Sequence, residues 1–147
     1  MDRDTFLGLS IARIYRSGEL LEEAKRLLEG GKYKSANNRA FYSIEKAALA
    51  LLAVKEINVD SHRGCLKQLN IHFIRPEEGE FRVGDYKKIA SVERIRNTSD
   101  YDDFYLADKE ECRFAVDSAI ELYKKTLDYL EHFEGFSNHI NNLKAYL

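Results

Sequence analysis

Tryptophan is absent from the 147 residues, proline and methionine occur once each, cysteine twice and glycine eight times. With so few backbone breakers, the chain lacks the punctuation of many-stranded β folds, collagen-like repeats and flexible linkers. Cys65 and Cys112 stand 47 positions apart with no His or Cys at ligand spacing, which excludes a disulfide framework and a zinc motif. Both are expected reduced in the core, and no metal or other cofactor is expected. Long apolar runs are missing too: the longest, Ala47 to Val54, falls far short of the roughly 20 residues that span a bilayer. The Met-Asp-Arg-Asp start has neither the basic nor the apolar region of a secretory signal, so a cytoplasmic location away from membranes is expected. Disorder is excluded by a hydrophobic content of 44%. A chain of this length buries about 68–70% of the surface its unfolded form exposes, enough for one sizeable core. One domain over Met1 to Leu147 is therefore expected.

Charge of one sign is also lacking. The net charge of -2 gives no global argument for binding nucleic acid or an anionic membrane, but the distribution is uneven: Gly31 to Arg75 carries +5 and Ser99 to Glu134 carries -7. A basic and an acidic face, or simply the solvated outer faces of helices, would both produce this pattern.

What is present is helical periodicity. Leu7, Ile11, Ile14, Leu21, Ala24 and Leu28 draw one stripe over Thr5 to Glu29, which Gly30-Gly31 ends. A second helix is read over Lys32 to Lys55 with Tyr33, Ala36, Ala40, Ile44, Ala47 and Leu51 inward; its second half is apolar all round, as the most buried member of a bundle would be. Asn58 to Ser61 offers capping groups for a shorter helix, Ser61 to Ile74, stopped by Pro76. After a charged loop over Glu77 to Gly84, a helix from Asp85 to about Tyr101 carries Ile89, Val92, Ile95 and Ser99 on one face. Asp108 and Glu111 read as a capping box opening a helix over Lys109 to Phe133, with Cys112, Ala115, Ala119 and Leu122 inward. Phe136 to Leu147 reads as a short terminal helix. No segment reads as a strand. The expected class is all-α, an up-and-down bundle of four or five helices, with its core over about Thr5 to Phe133 and a tail beyond.

Three polar clusters interrupt the apolar stripes. Asn37-Asn38-Arg39 lies in mid-helix, where two Asn and an Arg are poor for propensity and packing alike. Asp60-Ser61-His62-Arg63 reads as a helix start with an exposed imidazole, or as a His beside an anion held by helix amides. The third, Arg94 to Tyr105, puts Arg96 at a helix end followed by Asp100, Tyr101, Asp102, Asp103 and Tyr105. Such groups are costly unless they pair with one another or bind something. An ion pair closing the helix and a binding site are both open at this point. As a proton-transfer base His72, beside the apolar Phe73, is less favoured than His62, and His132 and His139 are expected at the surface.

Taken together, Arg39-Ala-Phe-Tyr42 in an alanine-rich helix, Ser61-His62 opening the next, and Arg96-Asn97-Thr-Ser-Asp100-Tyr101-Asp102 before the last long helix resemble a HEPN domain. The likeness covers Thr5 to Phe133 and is strongest toward small single-domain prokaryotic members encoded beside minimal nucleotidyltransferases. It implies a helical bundle, a homodimer and a polar site where two subunits converge. Ribonucleases of this family carry an Arg, a polar residue after it, and a His four to six intervening positions beyond the Arg. The His exchanges protons with the ribose 2'-hydroxyl and the leaving oxygen, while the Arg stabilises phosphorane charge without a metal. Arg96 and Asn97 match the first two positions. In place of the His stand Tyr101, Asp102 and Asp103, none of which is a proton shuttle near neutral pH at its ordinary pKa. Toxin members also carry a Tyr two positions after the His, a target of modification by the partner transferase; Tyr105 has that offset if Asp103 occupies the His position.

The reading that follows is a dimeric HEPN module with a degenerate motif. It would use Arg96 and Asn97, with Arg39, Asn38, His62, Asp100, Tyr101, Asp103 and Tyr105, to bind a nucleotide, RNA or partner protein in a toxin-antitoxin type of system. The resemblance implies a minimal nucleotidyltransferase as the partner protein; with no phosphate-binding glycine loop or nucleotidyltransferase motif, this chain would be the partner and not the transferase. Two alternatives stand beside it: a metal-independent endoribonuclease, and an ion-pair network with no ligand.

Overall fold

Six α-helices follow one another in the computed structural model, which describes residues 1–59 and 62–147, with His62 and Arg63 by backbone alone. They are α1 (Arg3–Glu29), α2 (Tyr33–Val54), α3 (His62–Leu69), α4 (Val83–Tyr101), α5 (Lys109–Leu130) and α6 (Ile140–Lys144), with no strand among the described residues. The capping group expected at Asp60-Ser61 lies outside the described residues.

The turn between α1 and α2 is made by a pair of glycines. Gly31 has φ +73°, a left-handed conformation glycine adopts freely, and the Lys32 amide donates to the Leu27 carbonyl at 2.8 Å while the Gly31 amide donates to that of Leu28 at 3.1 Å. The chain reverses there, so α1 and α2 run antiparallel. Ser10 Oγ donates to the Ala50 carbonyl at 2.7 Å, and Ser17 and Ser43 each donate to the other's carbonyl, at 2.7 and 2.9 Å. These bonds correct the expected α1 stripe. Leu7, Ile11 and Leu28 are only partly buried, and the fully buried Ser10 and Ser17 take core positions because a small hydroxyl that finds a backbone carbonyl lets two helices approach closely.

The central α2 is buried along its length, from Ala36 and Ala40 to Leu51, Leu52 and Ala53. α4 lies antiparallel to α2, with Arg96 beside Phe41 and Asp100 beside Asn38, and α5 lies antiparallel to α4, with Lys125 on Asp85 and Lys88 on Glu121. The long helices thus alternate in direction, an up-and-down bundle as periodicity implies. No described helix is long and apolar enough to cross a membrane.

Boundaries differ where side chains intervene. α4 starts at Val83, two residues early, because the Asp85 carboxylate accepts the Arg82 amide at 2.8 Å and Lys125 Nζ at 2.7 Å. The helix expected to run to Ile74 changes to π-helical spacing over Asn70–Ile74, with Arg75 N donating to the Asn70 carbonyl at 2.9 Å. That widened turn points Phe73 into an aromatic cluster with Phe81 and Tyr129, ring centroids 5.6 and 5.4 Å away. α5 ends at Leu130. α6 is shorter than Phe136 to Leu147, yet Phe136 and Leu143 are fully buried and Lys25 Nζ donates to the Tyr146 and Leu147 carbonyls. At Asp108 the observed cap is the side chain accepting the Glu111 amide at 2.7 Å. His139, expected at the surface, is partly buried and hydrogen-bonded to Tyr15 Oη at 2.9 Å.

Candidate functional site

The N-terminal half of α2 meets the C-terminal end of α4 through small residues. Ala36 and Ala40 leave room for Asn37, itself wholly buried, to donate from Nδ2 to Ser99 Oγ at 3.0 Å. One residue along each helix, Asn38 Nδ2 donates to Asp100 Oδ2 at 2.9 Å. A turn further on, the Arg96 guanidinium lies over two rings of α2, its Cζ 4.7 Å from the Phe41 centroid and 5.3 Å from that of Tyr42. The Arg96 side chain is only 13% exposed, its Nη1 reaches no closer than 3.7 Å to Asp100 Oδ2, and its Nε is buried without an acceptor. Aromatic faces hold a guanidinium by cation–π attraction and leave its in-plane N–H groups free to donate. A buried donor without an acceptor costs about 1–3 kcal/mol.

Arg39 extends the cluster to a third helix. Its Nη1 donates to Asn38 Oδ1 at 2.7 Å, and its Nε lies 3.2 Å from Glu23 Oε2 on α1. Glu23, Arg39, Asn38, Asp100 and Arg96 therefore form one polar chain across α1, α2 and α4, with two cations balanced by two carboxylates. Lys34, Ser35, Asn38 and Arg39 line an adjoining hollow with Ser99 and Asp100.

Of the residues singled out in the sequence, Arg96, Asp100, Asn38 and Arg39 come together. Asn97 faces solvent with no side-chain hydrogen bond, and Tyr101 is 77% exposed. Asp102 caps the end of α4 and its Oδ1 accepts the Phe104 amide at 2.9 Å. Asp103 and Tyr105 line a neighbouring hollow against the start of α2, where Lys34 Nζ stands 6.0 Å from the Tyr105 ring centroid and the Tyr105 hydroxyl is buried without a partner. The His62 side chain lies outside the described residues. His72 pairs with Gln68 and His139 with Tyr15, both away from the cluster. No group of three metal-ligating side chains occurs among the described residues.

Glu23 escaped the sequence reading because it sits on the outer face of α1 like any solvated acid; only the antiparallel pairing with α2 brings it to Arg39. Ser99 was legible as an inward position, but not as the acceptor for Asn37.

The HEPN domain model matches residues 12–130. The chain belongs to the HEPN domain family. The HEPN match runs from α1 to the end of α5 and so contains every member of the polar chain. Among its relatives, a Methanocaldococcus jannaschii protein named "Putative toxin MJ0142" is 32% identical over 119 residues, 76% of this chain and 80% of that one. The "UPF0332 protein" of Thermotoga maritima is 26% identical over 128 residues, covering 87% of this chain and 85% of its own. A second M. jannaschii protein, "Putative toxin MJ0605", is 39% identical over 56 residues, 38% of this chain and 42% of its own.

Proposed function

We propose that this HEPN chain is the RNA- or nucleotide-binding half of a toxin-antitoxin type of pair, with Arg96 as the phosphate-binding group and no motif histidine to drive cleavage. The observation that carries the reading is the Arg96 guanidinium: stacked on Phe41 and Tyr42, with its Nε unsatisfied and only a loose 3.7 Å contact to Asp100. A phosphate oxygen that replaces the loose Asp100 contact would take the guanidinium's charge-assisted hydrogen bond. Asn38 and Arg39 flank the position and Asp100 offsets the charge until a ligand arrives. A homodimer and a minimal nucleotidyltransferase partner belong to the same proposal. They are supported by an apolar loop beside the site, where Phe104 is 94% and Leu106 89% exposed among acidic neighbours.

The test is fluorescence anisotropy with a labelled single-stranded RNA octamer and with adenosine and guanosine monophosphates, run beside an RNA cleavage assay in chelator. Wild type is expected to bind and not to cleave, and Arg96→Ala to lose roughly 10- to 150-fold in affinity, the worth of one charge-assisted hydrogen bond. Failure of wild type to bind RNA or nucleotide would overturn the proposal. Cleavage by wild type that Arg96→Ala abolishes would establish the endoribonuclease instead.

A further inference from the structure

Two hollows lie side by side along the first turns of α2, and neither contains a motif residue of the Arg96-Asn97 pair. One, of about 390 Å³, is bounded by Lys32, Tyr33 and Lys34 on α2's side and by Asp103 and Tyr105 opposite. The other, of about 360 Å³, is bounded by Asn38, Arg39, Ser99 and Asp100. Lys34 and Ser35 form the wall common to both. Each hollow has the size of one nucleotide. The first offers a half-buried tyrosine ring; the second offers amide, guanidinium and carboxylate groups that pair with base edges. Between them stand an exposed ammonium and a hydroxyl, and no acidic side chain lies in α2's first turn.

We infer that this groove is a two-nucleotide subsite for single-stranded RNA, with one base stacked on Tyr105, the next against Asn38 and Arg39, and the linking phosphate on Lys34 and Ser35. The inference rests on the proposed binding function and extends it from one phosphate at Arg96 to a strand path leading away from it. Single strands are required, because a base must leave its stack to enter either hollow. Asp100 and Asp103 face the groove from the far side. They confine phosphates to α2's edge and accept hydrogen bonds from the amino groups of cytosine, adenine and guanine, a donor that uracil lacks.

The experiment uses the full chain with labelled octacytidylate and a self-complementary RNA duplex, titrated at several salt concentrations. Wild type should prefer the single strand. Tyr105→Ser should weaken it roughly 5- to 150-fold, the range for loss of one stacked base, while Tyr105→Phe should match wild type, separating stacking from the hydroxyl and from folding. The exposed pair Lys32→Ala/Lys34→Ala should lower the slope of log affinity against log salt by about 0.7 for each phosphate no longer neutralised by a lysine. If Arg96→Ala weakens binding but the groove variants bind as wild type does, the subsite is overturned and the Arg96 reading survives. Equal affinity for duplex and single strand also overturns the subsite. If wild type binds neither probe, the subsite falls, and the Arg96 reading falls with it only if the monophosphates also fail to bind.

Discussion

Replacing Arg96 with methionine separates a ligand-binding arginine from one kept for stability. The substitution removes cation–π contacts to Phe41 and Tyr42, about 1–2 kcal/mol each at a site this buried. It also removes an ion pair with Asp100, worth about 0.2–1 kcal/mol when as loose as this one. On the other side, the buried Nε that finds no acceptor disappears, a relief of about 1–3 kcal/mol. The thioether regains about 0.3–1.5 kcal/mol against the same rings. Asp100 is not stranded, because Asn38 still donates to it at 2.9 Å. These contributions nearly cancel. Arg96→Met should therefore unfold within about 1 kcal/mol of wild type, a shift in Tm of about 2–4 °C for a chain of this size. Its affinity for single-stranded RNA should collapse. Thermal unfolding by circular dichroism and anisotropy on one preparation read both quantities. A loss of 3–5 kcal/mol, as expected for breaking a tightly buried pair, with binding retained would refute the reasoning and leave Arg96 as a member of a structural network.

Other perturbations test the scaffold. Lys125→Met leaves the 7% exposed Asp85 carboxylate with the Arg82 amide as its remaining donor, and should cost about 3–5 kcal/mol in urea unfolding, partly recovered by adding Asp85→Asn. At Gly18 an added Cβ would clash with Cδ2 and Cγ of the Tyr146 ring and stand 2.7 Å from Tyr123 Oη. Overpacking there costs about 1–3 kcal/mol, more than the up to about 1 kcal/mol gained in helix propensity, so Gly18→Ala should speed amide exchange over residues 140–146; unchanged exchange would contradict the packing. Burial, with the Glu45 charge adding, pushes the Cys65 thiol from 9.0 up to about 12, and burial with Glu78 pushes Tyr129 from 10.0 up to about 12. The folded chain holds these protons after the unfolded chain has released them. Their contribution is whole below pH 9, starts to fall there for Cys65 and at pH 10 for Tyr129, and is lost as pH approaches 12. Urea midpoints should drop between pH 8.5 and 11, less steeply in Cys65→Ala; a flat profile would contradict the burial.

Much of the bundle is legible because helix formers dominate and their breakers are few. Gly30-Gly31 reads as a stop since only glycine takes the left-handed turn at position 31 without strain. The π-helical turn at Asn70–Ile74 does not read, because it is set by where Phe73 packs, and the local pattern of Leu69 and Phe73 fits an α-helix equally well. Within the candidate site, Arg96, Asp100, Asn38 and Arg39 stand out as polar groups interrupting apolar stripes. Glu23 does not, and the roles of Phe41 and Tyr42 as a platform emerge only once α4 lies across α2. Asn97, adjacent to Arg96 in sequence, points to solvent since neighbours on a helix face different directions.

The reciprocal serine bonds between α1 and α2 act as a detent. Ser17 is six residues from Glu23 and Ser43 four from Arg39, so the lock lies about 6–9 Å along the helices from the ion pair. Sliding α1 by one turn, about 5.4 Å, would break both serine bonds and carry Glu23 away from Arg39 together. A genetic screen for lost activity should therefore return Ser17 and Ser43 beside Arg96, although neither serine carries charge or joins the polar chain.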